Sequence, residues 1–144
     1  MRVAIGSDHG GFRLKEELTK LLTTAGHEVT DLGATSIESS DYPDFAHAVA
    51  ARVGAGEVDR GVLVCGTGVG MSMAANRHRG VRAVVCSDVY TARMSRSHND
   101  ANVLCLGERV VGPGLAWEIV RAWLDEPADG GDRHARRRAK IEPG

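Results

Sequence analysis

Apolar runs and amphipathic stretches alternate along most of this chain. The apolar runs are short and rich in β-branched side chains, a composition that is typical of buried strands. Five such runs begin near Arg2, Val29, Val62, Val81 and Ala101. Each is followed by a stretch that suits a helix, at about residues 12–23, 43–53, 69–76, 88–97 and 113–124.

This strict alternation predicts an α/β fold with a parallel sheet. Continuous apolar strands are buried on both faces, so we expect a five-stranded, doubly wound, Rossmann-like sheet with helices on both faces. At 144 residues and 42% apolar content the chain has the size of a single domain. We assign the domain to residues 1–125 and a C-terminal basic arm to residues 126–144.

Composition excludes several classes of function. The net charge of −1 gives no reason to expect nucleic acid or a membrane surface as a partner. The chain shows no signal peptide and no apolar run of membrane length, so we expect a cytoplasmic protein. Its three cysteines, Cys65, Cys86 and Cys105, lie in apolar runs without C-x-x-C spacing. Their odd number and spacing argue against a disulfide framework and against a zinc site.

The segment Cys65-Gly66-Thr67-Gly68-Val69-Gly70 carries the strongest chemical signal. It places a cysteine at the end of a buried strand, before glycines whose backbone N–H groups begin a helix. Such a position favours an anion and a thiolate, and it suits chemistry that passes through an oxyanion. Two alternatives are a cysteine that acts only as a small hydrophobe and a dinucleotide-binding turn. The nucleotide pattern G-x-G-x-x-G is not matched, because Met71 stands at the third glycine position.

The order of strands and helices also predicts which residues meet. Ligands of doubly wound sheets bind outside the carboxyl ends of the strands, where Asp8 and His9 follow the first strand and Cys65 ends the third. His98 and Asn99 end the fourth helix and belong to the opposite edge of the sheet. We therefore expect them to join the site only through a partner subunit.

The C-terminal arm is basic from Arg133 to Lys140. One interpretation is a solvated charged helix. The other is an arm that brings guanidinium groups to a phosphate, for which arginine has suitable geometry.

Several motifs, in the right order and over nearly the whole chain, resemble the type B ribose-5-phosphate isomerases. This family also includes subunits of galactose-6-phosphate isomerase and isomerases of other sugar phosphates. The matching segments are Ser7-Asp8-His9-Gly10-Gly11, Asp41-Tyr42-Pro43, Cys65-Gly66-Thr67-Gly68-Val69-Gly70, Ala74-Ala75-Asn76, His98-Asn99-Asp100-Ala101-Asn102-Val103-Leu104, Gly107-Glu108-Arg109-Val110-Val111-Gly112 and Arg133-His134-Ala135-Arg136-Arg137.

The resemblance implies reversible isomerisation of ribose 5-phosphate and ribulose 5-phosphate through a cis-enediolate, without a metal or an organic cofactor. It makes Cys65 the base that moves a proton between C1 and C2, and places the backbone from Gly66 through Gly68 and Val69 to Gly70 beside the developing oxyanion. Thr67 is implied to act beside the cysteine; a helix-capping threonine is the alternative. Some relatives use a serine and a nearby glutamate instead. No acidic residue lies between Cys65 and Asn76 here, so we expect the cysteine variant.

Further roles are implied by the same resemblance. His98 would open the furanose ring by acid–base transfer, with Asn99 binding sugar oxygens beside it. Asp8 would accept hydrogen bonds from sugar hydroxyls, or cap the first helix, and His9 would lie toward the phosphate. Tyr42 would cover the sugar or be an ordinary surface turn residue.

The resemblance also implies a phosphosugar site shared between two subunits of a homodimer, with pairing of dimers into tetramers left open. Arg109, Arg133 and Arg137 would bind the phosphate. Asp132, inserted before Arg133 where relatives run Gly-Gly-Arg-His directly, could pair with that arginine and weaken binding. The same chemistry on an allose, galactose or tetrose phosphate is a second hypothesis. A non-catalytic phosphate- or nucleotide-binding module is a third.

Overall fold

Five parallel strands form one sheet in the computed structural model, which describes residues 1–144. The strands are β1 (Arg2–Ser7), β2 (Glu28–Asp31), β3 (Arg60–Cys65), β4 (Ala83–Val85) and β5 (Val103–Gly107). Their order in the sheet is β2-β1-β3-β5-β4, and every neighbouring pair is parallel. The predicted five-stranded parallel sheet is confirmed.

Six helices accompany the sheet. They are α1 (Phe12–Thr24), α2 (Tyr42–Gly54), α3 (Val69–Ala75), α4 (Val89–Ser97), α5 (Pro113–Asp125) and α6 (Asp132–Arg138), with a 3-10 turn at His9–Gly11 before α1. Local chemistry explains several starts: α2 and α5 have proline in the first turn, and Asp88 accepts a hydrogen bond from Thr91 N to cap α4. None of these helices combines the length and hydropathy that crossing a bilayer requires.

The helices divide between the two faces of the sheet. α1, α4 and α5 bury one apolar cluster, which contains Val62, Val64 and the fully buried Trp123. α2 and α3 bury a second cluster on the other face, which contains Leu63 and Cys65. The side chains of β3 therefore alternate between the two cores, as a strand covered on both faces requires. Cys65 lies on the side of α2 and α3.

The order in which the parallel strands are added to the sheet reverses between β1 and β3. The chain leaves β1 toward β2 on one side, and it leaves β3 toward β4 on the other. The loops that follow these two neighbouring strands consequently part and leave a crevice between them. Ser7 at the end of β1 is in register with Val64, so the segments after Ser7 and Cys65 lie side by side.

Strand β4 is shorter than the sequence pattern predicts. The apolar run of residues 81–86 suggested six strand residues, and only Ala83–Val85 are extended in the ladder. Side-chain amides hold the segment before it: Arg82 N donates to Asn102 Oδ1 at 2.7 Å. Asn76 accepts from Ala83 N at 2.8 Å and donates to Ala83 O at 2.9 Å. Apolar character alone does not reveal that these contacts replace a neighbouring strand.

The C-terminal arm folds back on its own protomer. Arg138 Nη1 donates to the carbonyl of His98 at 3.2 Å, and Glu142 accepts from Gly80 N at 2.8 Å. These contacts lie at the amino ends of the strands, opposite the end that carries Cys65. The basic segment is thus a charged helix, α6, followed by a tail. Packing of the arm on a second subunit stays a prediction.

The start of α1 is capped from a distant part of the chain. Its N-cap, Gly11, has no side chain to offer, and no acidic residue lies in its first turn. Leu14 N donates instead to Glu108 Oε1 at 2.7 Å. Glu108 follows β5, so its carboxylate joins the start of α1 to the loop after β5 and complements the helix dipole.

We expect Glu108→Ala to lower the free energy of unfolding by about 1 kcal/mol, because it leaves an N–H group at the helix start without its acceptor. Glu108→Gln keeps an acceptor oxygen and should lose less. Urea unfolding at a fixed protein concentration measures both changes. Glu118→Ala, at an exposed position of α5, is the matched control. An unchanged urea midpoint for Glu108→Ala would contradict the capping role.

Candidate active site

Cys65 lies at the carboxyl end of β3, beneath the start of α3. It is 6% exposed, and its Sγ accepts a hydrogen bond from Gly68 N at 3.0 Å. Gly68 has a φ of 82°, a left-handed conformation that glycine adopts at little cost. This turn brings a backbone N–H group and the start of a helix to the sulfur, surroundings that suit a reactive thiolate.

Four backbone N–H groups near this sulfur form no hydrogen bond within the protomer. They belong to Gly66, Thr67, Gly70 and Met71. Gly68 and Val69, which were also predicted to bind substrate, donate instead to Cys65 Sγ and to Thr67 Oγ1. The exposed hydroxyl of Thr67 therefore makes one contact of the kind that the capping alternative expects. The N–H groups of Gly66 and Gly70 stay available to an anionic oxygen.

Asp8 and the turn after β1 form the other wall of the crevice. Asp8 is 7% exposed, and its Oδ1 accepts from Gly11 N at 3.2 Å, so the side chain caps the 3-10 turn. A methyl group added to Gly10 would lie 3.3 Å from Asp8 Oδ1 and 3.4 Å from Gly66 N. The two loops are thus in direct contact, and Asp8 lies beside the cysteine segment.

His9 is held by a residue that sequence reasoning missed. His9 N donates to Ser40 Oγ at 3.1 Å, and Ser40 N donates to His9 Nδ1 at 3.1 Å. Ser40 lies in the polar loop between β2 and α2. No motif marks it, because the contact joins loops 31 residues apart.

Tyr42 and Arg109 flank the cysteine segment. The ring of Tyr42 lies against Gly70, where an added methyl group would be 2.7 Å from Tyr42 Cε2. Tyr42 is still 41% exposed, so it both contacts the site and lies at the surface. Arg109 N donates to Gly66 O at 3.1 Å, and its guanidinium lies beside Gly66 without a carboxylate partner.

The remaining predicted residues lie at the opposite edge of the sheet. His98 follows α4, and its ring stacks on that of His134 with centroids 4.3 Å apart. Burial lowers the pKa of His134, and nearby His98 and Arg133 act in the same direction. His134 was missed as a partner of His98, although it lies in the quoted motif. Asn99 is exposed and lines a cavity of about 380 Å³ beside the C-terminal tail.

Strand length separates the two groups of residues. Cys65 is in register with Gly107, whereas His98 precedes Val103 at the other end of β5. The four steps from Val103 to Gly107 span about 13 Å at about 3.3 Å per residue. Within one protomer the structure therefore brings Asp8, His9, Tyr42, Thr67 and Arg109 to the cysteine. The other predicted residues lie toward the amino ends of the strands: His98, Asn99, Arg133 and Arg137.

The predicted pairing of Asp132 with Arg133 is not formed. Asp132 is the first residue of α6 and makes no ion pair. Its charge lies where a helix dipole favours an anion. Arg133 and Arg137 are exposed, and neither is paired with a carboxylate.

The other two cysteines lie in the core, as expected. Burial raises the pKa of Cys86 to about 12, with a further contribution from Asp88. Complete burial likewise raises the pKa of Cys105. Both groups stay protonated thiols at neutral pH. No three His, Cys, Asp or Glu side chains lie close enough together to share a metal ion.

Comparison with known proteins points to one family. The family model for Ribose/Galactose Isomerase matches residues 3–141. The chain is 54% identical over 136 residues to ribose-5-phosphate isomerase B of Escherichia coli K12, covering 94% of this chain and 91% of that protein. It is 43% identical over 132 residues to D-erythrulose-4-phosphate isomerase of Pectobacterium atrosepticum, covering 91% and 87%.

The solved structures agree as well. The structure of Clostridium thermocellum ribose-5-phosphate isomerase B superposes with a TM-score of 0.96 at 56% identity, covering 98% of this chain and 95% of that one. The resemblance stated from the motifs is confirmed. Because a family model and several relatives cover nearly its whole length, this chain belongs to the Ribose/Galactose Isomerase family and is an isomerase.

Proposed function

We propose that this isomerase interconverts ribose 5-phosphate and ribulose 5-phosphate through a cis-enediolate, with Cys65 as the base. The observation that carries the proposal is the position of Cys65 Sγ. It lies at the carboxyl end of β3, beside unpaired N–H groups of Gly66 and Gly70 and the free guanidinium of Arg109. The relatives named ribose-5-phosphate isomerase B support the choice of a pentose phosphate.

The proton transfer follows from this geometry. The thiolate of Cys65 takes the proton from C2 of the open-chain aldose and returns it to C1, while the hydroxyl proton of O2 moves to O1. Negative charge develops on the sugar oxygen in the enediolate. The unpaired N–H groups of Gly66 and Gly70 are fixed donors for this charge, and the hydroxyl of Thr67 is a third. Asp8 accepts hydrogen bonds from the sugar hydroxyls.

Ring opening needs a group that gives a proton to the ring oxygen and removes one from the anomeric hydroxyl. An imidazole suits this exchange near neutral pH, and His98 takes the role with Asn99 beside it. Since about 13 Å of strand separates His98 from Cys65, the two act on one sugar only when they come from different subunits. The proposal therefore includes a homodimer whose His98 edge covers the partner's Cys65 edge.

The phosphate is bound by arginines from both subunits. Arg109 stands beside the cysteine segment, and Arg133 and Arg137 come with the partner's α6. All three are exposed and none is paired with a carboxylate, so their planar donor groups can turn to phosphate oxygens. His9 and Tyr42 complete the pocket on the cysteine side.

A tetrose phosphate is the second candidate substrate. The relative from Pectobacterium atrosepticum is named a D-erythrulose-4-phosphate isomerase. The proton transfer needs only an aldose carbonyl, a neighbouring hydroxyl and an anchored phosphate, so allose and galactose phosphates also belong to the comparison. Membership of an isomerase family makes the non-catalytic binding module wrong.

Replacing the base tests the proposal most directly. We expect Cys65→Ala to slow isomerisation, and exchange of the C2 proton with deuterated solvent, by about 10²–10⁴-fold, the usual contribution of a positioned base. Proton NMR of ribose 5-phosphate in D₂O measures the exchange. Cys86→Ala removes a buried thiol in the apolar cluster on the other face of the sheet and should retain exchange. Near wild-type exchange by a folded Cys65→Ala protein would refute the assignment.

The shared site makes a second prediction. Cys65→Ala and His98→Asn proteins should each be nearly inactive, whereas random mixing of their subunits should restore about a quarter of wild-type activity. Half of the dimers are then mixed, and each mixed dimer holds one intact site. Native mass spectrometry verifies subunit exchange. Mixed dimers without activity would contradict a site that combines Cys65 of one subunit with His98 of the other.

A substrate panel separates the two candidate sugars. We expect kcat/KM for ribose 5-phosphate to exceed that for D-erythrulose 4-phosphate, allose 6-phosphate and galactose 6-phosphate by about tenfold or more, since a misplaced phosphate loses binding at the transition state. Coupled assays with each sugar phosphate measure the ratios. A higher value for the tetrose phosphate would favour the second candidate.

A further inference from the structure

We infer that Ser40 is a positioning residue for this isomerase, which holds His9 so that its imidazole presents an Nε2–H donor to the sugar phosphate. The inference rests on the proposed function, because it takes His9 as a substrate contact. It is carried by the two reciprocal hydrogen bonds between these residues.

The pair forms a closed ring of contacts. The backbone N–H of His9 donates to the hydroxyl of Ser40, and the backbone N–H of Ser40 donates to Nδ1 of His9, each at 3.1 Å. Both residues are half-buried. Each contact fixes a different part of His9, since the first holds its backbone and the second holds its ring.

The second bond also decides where the ring proton lies. A peptide N–H can only donate, so Nδ1 of His9 must accept with its lone pair. A neutral imidazole that accepts at Nδ1 carries its proton on Nε2. His9 Nε2 forms no hydrogen bond within the protomer. It is therefore a free donor at the crevice, and phosphate and sugar oxygens are acceptors.

The loop depends on this pair for its attachment. Residues 35–40 form no other hydrogen bond to the rest of the chain. Two residues later, the ring of Tyr42 lies against Gly70. Residues 40–42 thus contact both walls of the crevice: Ser40 contacts the segment after β1, and Tyr42 contacts the segment after β3. Ser40 contacts His9 directly, whereas Tyr42 is held by a separate contact with Gly70.

Steady-state kinetics of three variants test the inference. Ser40→Ala removes the acceptor for His9 N and should raise KM for ribose 5-phosphate about 3–10-fold, with kcat within about twofold, because His9 binds substrate and transition state alike. Ser40→Thr keeps the hydroxyl and should restore KM. Ser39→Ala removes an exposed neighbouring hydroxyl without a contact to His9 and is the matched control. An unchanged KM for Ser40→Ala, or an equal rise for Ser39→Ala, would overturn the inference.

Two further measurements separate this inference from the proposed function. Nitrogen-15 NMR of the wild-type histidines should show His9 protonated at Nε2, and a proton on Nδ1 would overturn the inference. If His9→Ala leaves KM unchanged, the substrate contact assigned to His9 fails. If His9→Ala raises KM, Ser40→Ala should add nothing in that background, and additive effects would overturn the positioning role.

Discussion

The arrangement of this protein depends on one constraint, the parallel pairing of β3 with its neighbours. Parallel strands end at the same edge, so pairing of Ser7 with Val64 and of Cys65 with Gly107 brings three loops together. The pairing of the strands alone is enough to bring Cys65, Asp8 and Arg109 together at this end of the sheet. Reversal of the strand order between β1 and β3 then leaves a crevice between the loops that follow these strands.

The same constraint explains what the sequence could predict. Asp8 and Cys65 end apolar strands, so alternation of strands and helices was enough to place them at one edge and His98 at the other. Ser40, Glu108 and His134 were missed as contacts, because each meets its partner through side-chain geometry across 31, 94 and 36 residues of chain. The shortened β4 was missed for a related reason: Asn102 binds Arg82 just before the strand, and Asn76 binds Ala83 at its start.

Separating catalytic groups between two edges has a chemical effect. Within one protomer, Cys65 lies beside its N–H groups and Arg109 but at a distance from the imidazole of His98. In the proposed dimer it meets the ring-opening imidazole, and the phosphate-binding arginines of α6, only after assembly. His134 stacks on His98, and burial lowers the pKa of His134, which disfavours two adjacent charged imidazoles.

The hydrogen bonds between Asn76 and Ala83 affect whether another chain can add to this edge of the sheet. Successive residues of a strand direct their backbone groups to opposite sides, and Val84 is aligned with Leu104 of β5. Arg82 O and Cys86 N bond to β5, so the backbone groups of Ala83 and Val85 face outward. The amide of Asn76 already satisfies both groups of Ala83. Only Val85 still offers an unpaired backbone N–H and C=O on the outer side of β4. An incoming chain finds too short a template there to extend the sheet at this edge.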